Sequence, residues 1–219
     1  MKDDPRHRNE LFDNSSVGAY LSDYAENLKA ALLTIDADAL DRARELIENA
    51  AAAGNRVYAI GNGGSAAIAD HLCCDLTKGT HAAGHAVIDT RSMTSNVALY
   101  SAIANDYGFE KVFSTQIDLL GRPGDVLLAI SSSGNSANIV GAVAAAHAIG
   151  MTTIGVSGFS GGALRETAQV ALHVDANNYG IVEDAHQSIM HVLAQYIAYH
   201  RDHGTHSSHV HRGQVVQPA

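Results

Sequence analysis

The chain has 219 residues, 46% hydrophobic and 17% charged, with 20 glycines, 3 prolines and a formal net charge of −9. This balance fits one folded α/β domain with a helical extension, and the acidic excess excludes nucleic acid or an anionic membrane as the natural partner. No apolar run reaches membrane-spanning length, the first ten residues are too polar for a secretory signal, and the two cysteines, Cys73 and Cys74, are adjacent; together these predict a reduced, cytoplasmic setting.

Residues 1–14 are polar and read as a mobile N-terminus. Over 17–35 the apolar positions Tyr20, Leu21, Tyr24, Leu28, Ala31 and Leu32 recur at helical spacing. A second helix is predicted over 39–53, with Leu40, Ala43, Leu46, Ile47 and Ala50 on one face, stopping at Gly54-Asn55. A helical pair ahead of an α/β core packs on that core or on another subunit. Strands are then predicted over 57–60, 85–89, 126–130, 152–157 and 170–173. Helices are predicted over 66–77, 94–104, 109–120, 137–150 and 181–201. Short, continuously apolar strands alternating with helices imply a parallel sheet covered on both faces. A single domain thus spans 15–202, followed by a tail over 203–219. His200, His203, His206, His209 and His211 crowd into this Gly- and Ser-rich end. It reads as a solvated, disordered tail, with zinc or nickel sequestration as the sharper alternative.

Two turns carry chemistry. The first strand ends in Gly61-Asn62-Gly63-Gly64-Ser65, and the third in Ser131-Ser132-Ser133-Gly134-Asn135-Ser136. Each delivers backbone N–H groups and hydroxyls to the positive end of a helix, which makes an anion cradle. One hydroxyl would suffice as a helix cap, and four in six residues exceed that need. They point to phosphate, with Ser65 as a fifth donor. The first turn also satisfies the dinucleotide pattern GxGxxA, with Asp89 near the position of a ribose-binding acid. The long helical N-terminus and the second Ser-rich turn weigh against that. His71 and Asp75 lie four apart on one helix face, and Glu183, Gln187 and His191 share a face of the last helix. Such sets hold a divalent metal, supply a general acid and base, or form ordinary exposed pairs.

These residues in this order resemble the SIS (sugar isomerase) domain family, and within it the phosphoheptose isomerases. The matching segments are GNGGSAA at 61–67, HLCCDLTKG at 71–79, AIANDYGFEKVFSTQ at 102–116, GRPGDVLLAISSSGNSANI at 121–139 and VEDAHQSIMHVL at 182–193. The resemblance implies a flavodoxin-like three-layer αβα sandwich with a five-stranded parallel sheet. It implies a homotetramer with active sites at subunit boundaries. It places a phosphate and sugar pocket on Asn62, Gly63, Ser65, Asn96, Ser131, Ser132, Ser133 and Ser136. The family's metal and catalytic positions fall on His71, Asp75, Glu183 and His191, with zinc as the expected ion.

The implied reaction converts sedoheptulose 7-phosphate to the manno-heptose 7-phosphate through a cis-enediol, with Asp75 as base and His191 as acid. The family has Glu where this chain has Asp75 and Gln where it has Glu183. The shorter carboxylate places the base about an ångström back, a shift that can cost about 10²-fold in rate. The added carboxylate at 183 would raise a neighbour's pKa without a cation and tighten binding with one. Many relatives carry Asp where Asn96 stands, which leaves open an isomerase of another phosphosugar. A non-catalytic SIS-fold regulator is the remaining alternative.

Overall fold

The computed structural model describes residues 12–203. The N-terminal segment up to residue 11 and the tail from residue 204 lie outside the described residues, so the predicted mobility of the first and the metal-sequestering role of the second are not addressed by it. Phe12 is buried, its ring 4.7 Å from that of Tyr20 and 5.9 Å from that of Tyr24.

Two helices open the domain, α1 (Val17–Leu32) and α2 (Ala37–Ala52). Each starts where a side chain caps it: Ser16 accepts from the Ala19 N–H, and Asp36 from that of Asp38. The remainder alternates: β1 (Val57–Gly61), α3 (Gly64–Cys74), a π-turn (Asp75–Gly79), β2 (Thr90–Ser92), α4 (Val97–Tyr107) and a 3-10 turn (Phe109–Lys111). Then follow α5 (Ser114–Leu120), β3 (Val126–Ser131), α6 (Ala137–Ala148), β4 (Thr152–Ser157), α7 (Gly162–Thr167), β5 (Val170–His173) and α8 (Tyr179–His203). All strand pairs are parallel, in the order β2-β1-β3-β4-β5. This is the flavodoxin-like order, whose chain reversal falls between β1 and β3.

Strand residues alternate between two cores. Val57 and Ala59 of β1, with Val126, Leu128 and Ile130 of β3, face the layer of α1, α2, α3 and α8. Tyr58 and Ile60, with Leu127 and Ala129, face the layer of α4 to α7. Every residue of β1 and β3 is buried, as a sheet covered on both faces requires.

The structure corrects the second strand. It was predicted at 85–89 from the apolar run Ala86-Val87-Ile88, but pairing with β1 begins only at Thr90. Side chains take the backbone groups that a ladder would have used. Thr77 Oγ1 donates to the Ile88 carbonyl and accepts from the Thr90 N–H, while Arg201 donates to the carbonyls of Ala86 and Thr80. The helix predicted over 109–120 is broken by the 3-10 turn, and that over 94–104 starts later, at the cap formed by Asn96. The short α7 was not anticipated.

Candidate functional site

The two Gly/Ser turns follow β1 and β3, on either side of the chain reversal. Gly61 has no room for a side chain, since a Cβ would strike the backbone carbonyl of Ser65. Gly134 adopts φ 66° and packs its α-carbon against the Gly161 carbonyl. Asn62 and Asn138 exchange two amide hydrogen bonds of 3.0 and 2.9 Å, which fixes the first turn to α6. Between the turns lies a cavity of about 140 Å³ lined by Asn62, Ser65, Ser131, Ser132, Ser133, Ser136, Tyr179 and Glu183.

Two serines support the loop itself. Ser131 Oγ accepts from the Gly134 N–H, and Ser133 Oγ from that of Asn135. Ser136 precedes α6 but makes no capping bond. The N-termini of α3 and α6 converge here, an arrangement that suits an anion.

The second constellation joins α3 to α8. Asp75 Oδ2 lies 3.5 Å from His71 Nε2 and 3.1 Å from His191 Nδ1. The two imidazoles meet edge to face, centroids 4.9 Å apart. All three residues present a ligand atom within 4.8 Å of the others. Gln187 places its amide 3.0 Å from His191 Nε2, and when that amide donates, the ring proton sits on Nδ1, facing Asp75. Asp75 opens the π-turn, a backbone irregularity that recurs at functional sites. Two imidazoles and a carboxylate converging in this way are a donor set suited to a divalent cation.

Both constellations lie along the same pair of helices. Gly64 faces Glu183 at one end and Asp75 faces His191 at the other, so α3 and α8 run side by side in the same direction. From Ser65 to His71 is about 9 Å along α3, and from Glu183 to His191 about 12 Å along α8, at 1.5 Å per residue.

The SIS-domain profile matches residues 19–158. A probable phosphoheptose isomerase of Thermoplasma acidophilum is 36% identical over 179 residues, 80% of this chain and 95% of that protein. The chain belongs to the phosphoheptose isomerases of the SIS-domain family. Among solved structures, the phosphoheptose isomerase from Neisseria gonorrhoeae superposes with a TM-score of 0.76 at 33% identity, over 84% of this chain and 97% of that one. That from Francisella tularensis gives 0.77 at 29% identity, over 84% and 96%.

In this SIS-domain protein the cavity gathers Asn62, Ser65 and the serines at 131, 132, 133 and 136. Gly63 lies beside them as the cap of α3, with φ 54°. His71, Asp75 and His191 form the cluster, and Glu183 is not part of it. The Glu183 carboxylate instead lies against Gly64, where an added Cβ would come within 2.5 Å of Oε2. Burial first, and then the neighbouring Asp184, push its pKa above the ordinary carboxylate range. Asn96 stands apart from both constellations. Its side chain caps α4 through the Leu99 N–H, and it lines a separate cavity of about 460 Å³ with Arg56, Asp70 and Arg91.

Sequence reasoning missed Tyr179 and Asn138, which carried no spacing signal. It noted Gln187 on the helix face without giving it a role. It also missed His186, fully buried on α8. Neither ring nitrogen of His186 has a hydrogen-bond partner of good geometry among the described residues, and burial holds the imidazole down to about 4.

Proposed function

We propose that this chain is an aldose–ketose isomerase that converts sedoheptulose 7-phosphate to D-glycero-D-manno-heptose 7-phosphate. The observation that carries this reading is the placement of an anion cradle and an acid–base cluster along one pair of helices, roughly 9–12 Å apart at 1.5 Å per residue. An extended seven-carbon chain with a terminal phosphate spans about 10 Å, from single-bond lengths near 1.5 Å. With phosphate in the cradle, C1 and C2 therefore reach the cluster. The cradle's hydroxyls and N–H groups supply remote binding energy that orients the reacting end.

Isomerisation moves a proton between C1 and C2 through a cis-enediol. Asp75 removes the C–H proton and returns it to the adjacent carbon. His191, oriented by Gln187, exchanges protons at the two oxygens. His71, Asp75 and His191 would hold a divalent cation, zinc by preference, and because Asp75 and His191 cannot be tight ligands and proton carriers at once, one role dominates at each step. Such an ion, when bound, supplies Lewis-acid polarisation of the substrate carbonyl.

The assembly we propose is a homotetramer whose sites lie at subunit boundaries. His71 and His191 are partly exposed in the single protomer, and the apolar side chains of Val192 and Tyr196 are exposed on α8 beside His191. A neighbouring copy would cover them. Among the described residues no helix is long and apolar enough to cross a membrane. With both cysteines free, this supports a cytoplasmic location.

The deciding experiment is a direct assay of the metal-analysed protein on sedoheptulose 7-phosphate, with Asp75→Asn and His191→Ala alongside. Turnover in the parent that disappears in both variants is the expected result. Absence of turnover on this substrate, with activity on a shorter phosphosugar, would shift the assignment to that sugar. Absence of sugar-phosphate binding altogether would favour a regulatory protein.

A further inference from the structure

Among the described residues Glu183 is the one carboxylate lining the Ser/Gly cradle, and no lysine or arginine lines it. Phosphate there would be held by hydroxyls, N–H groups and helix ends alone. The Glu183 carboxylate lies against the first turn of α3, the positive end of that helix, and forms no hydrogen bond or ion pair among the described residues. Its neighbour Asp184 is turned away, held by the Tyr24 hydroxyl at 2.7 Å. The carboxylate therefore sits where a ligand's phosphate belongs.

A phosphate ester carries close to two negative charges at neutral pH. It cannot share a cavity of about 140 Å³ with a carboxylate without strong like-charge repulsion. One escape route offers compensation. Glu183, Gln187 and His191 occupy the same face of α8, and that face leads to the His71–Asp75–His191 cluster, which becomes electropositive when it holds a divalent cation.

We propose that Glu183 couples the two constellations: its carboxylate occupies the cradle when phosphate is absent and turns toward the cation when phosphate arrives. Phosphate ester and divalent cation then bind with positive cooperativity, each tightening the other by the same factor. This rests on the cradle and cluster assignments made above, and it adds an order to them. The full site assembles only when both ligands are present.

The test uses glycerol 3-phosphate, which has no carbonyl to isomerise, and Co²⁺, whose visible absorption reports its ligands. Calorimetric titrations of the full-length wild type, E183Q, E183A and D184N at one fixed pH give each affinity with and without the other ligand. In the wild type we expect each ligand to tighten the other by about fivefold or more. The Co²⁺ spectrum should also change when the ester is added. In metal-free E183Q and E183A the ester should bind about tenfold tighter than in the wild type, and the coupling should vanish. D184N should retain the coupling.

Wild-type and E183Q proteins that bind the ester equally in the metal-free state would overturn the proposal, as would coupling that survives in E183Q and E183A. If these occur while sedoheptulose 7-phosphate is still turned over, the coupling fails alone. If neither wild type nor variant binds the ester, the cradle assignment falls with it.

Discussion

The Ser/Gly cradle and the His71–Asp75–His191 cluster share two helices but are made from different parts. The cradle is mainly backbone: tight turns at strand ends, locked by the Asn62–Asn138 amide pair and by close packing of Gly61 and Gly134. The cluster is all side chain, held by helix faces and a π-turn, and more open to solvent. Binding a constant group such as phosphate tolerates a rigid, preformed receptor. Moving protons requires groups that change partners during a reaction, which suits the side-chain cluster to the acid–base role proposed for it.

The largest effect should come from breaking the cluster alone. Asp75→Asn removes the carboxylate proposed as base while preserving shape, and turnover should fall by about 10²–10⁴-fold. Affinity of the metal-free protein for a non-reactive phosphate ester, measured by calorimetry, should stay within a few-fold. A parallel loss of affinity would mean that the two regions are not separable.

The helix that serves both can be attacked from below. His186 is buried neutral at about 4, whereas the unfolded chain binds a proton near the ordinary 6.5. Its contribution to stability is therefore complete above pH 6.5 and is lost as pH falls toward 4. The loss amounts to roughly 3 kcal/mol at the acid end. Denaturant titrations between pH 7 and 4 should show that slope, and His186→Leu should flatten it. Because α8 carries residues of both regions, ester binding and metal binding should fail together at acid pH in the parent.

A smaller, one-sided effect is expected at Ser136, whose hydroxyl does not cap its helix. Ser136→Ala should weaken phosphate-ester binding about tenfold. Its unfolding midpoint in urea should barely move. Tyr24→Phe, which removes the 2.7 Å bond to Asp184 between α1 and α8, should lower stability by about 1 kcal/mol and leave both regions working.

The same division explains what could be read from the chain. The cradle is contiguous in sequence, because strand, turn and helix N-terminus follow one another, so its residue types declare it. β1, β3 and β5 were evident for a similar reason, each being mainly an apolar run, and β4 is rich in β-branched residues. The cluster is not contiguous: Asp75 and His191 are brought together only by the pairing of α3 with α8. Helix spacing showed which residues share a face but not which way Glu183 turns. The second strand was misplaced because its neighbours' hydrogen bonds were taken by Thr77 and Arg201, side chains remote in sequence. The six-residue α7, opening on two glycines, is too short for periodicity to reveal.

Arg201 has a further effect at the open side of the sheet. β2 is only three residues long and pairs on one side, so its outer edge offers little backbone to a passing chain. The preceding Ala86-Val87-Ile88 segment has the composition to extend that edge. Arg201, mostly buried at the far end of α8, ties up the Ala86 carbonyl, and Thr77 that of Ile88. The clasp occupies backbone groups that another strand would need, so the last turns of the last helix guard the first edge of the sheet.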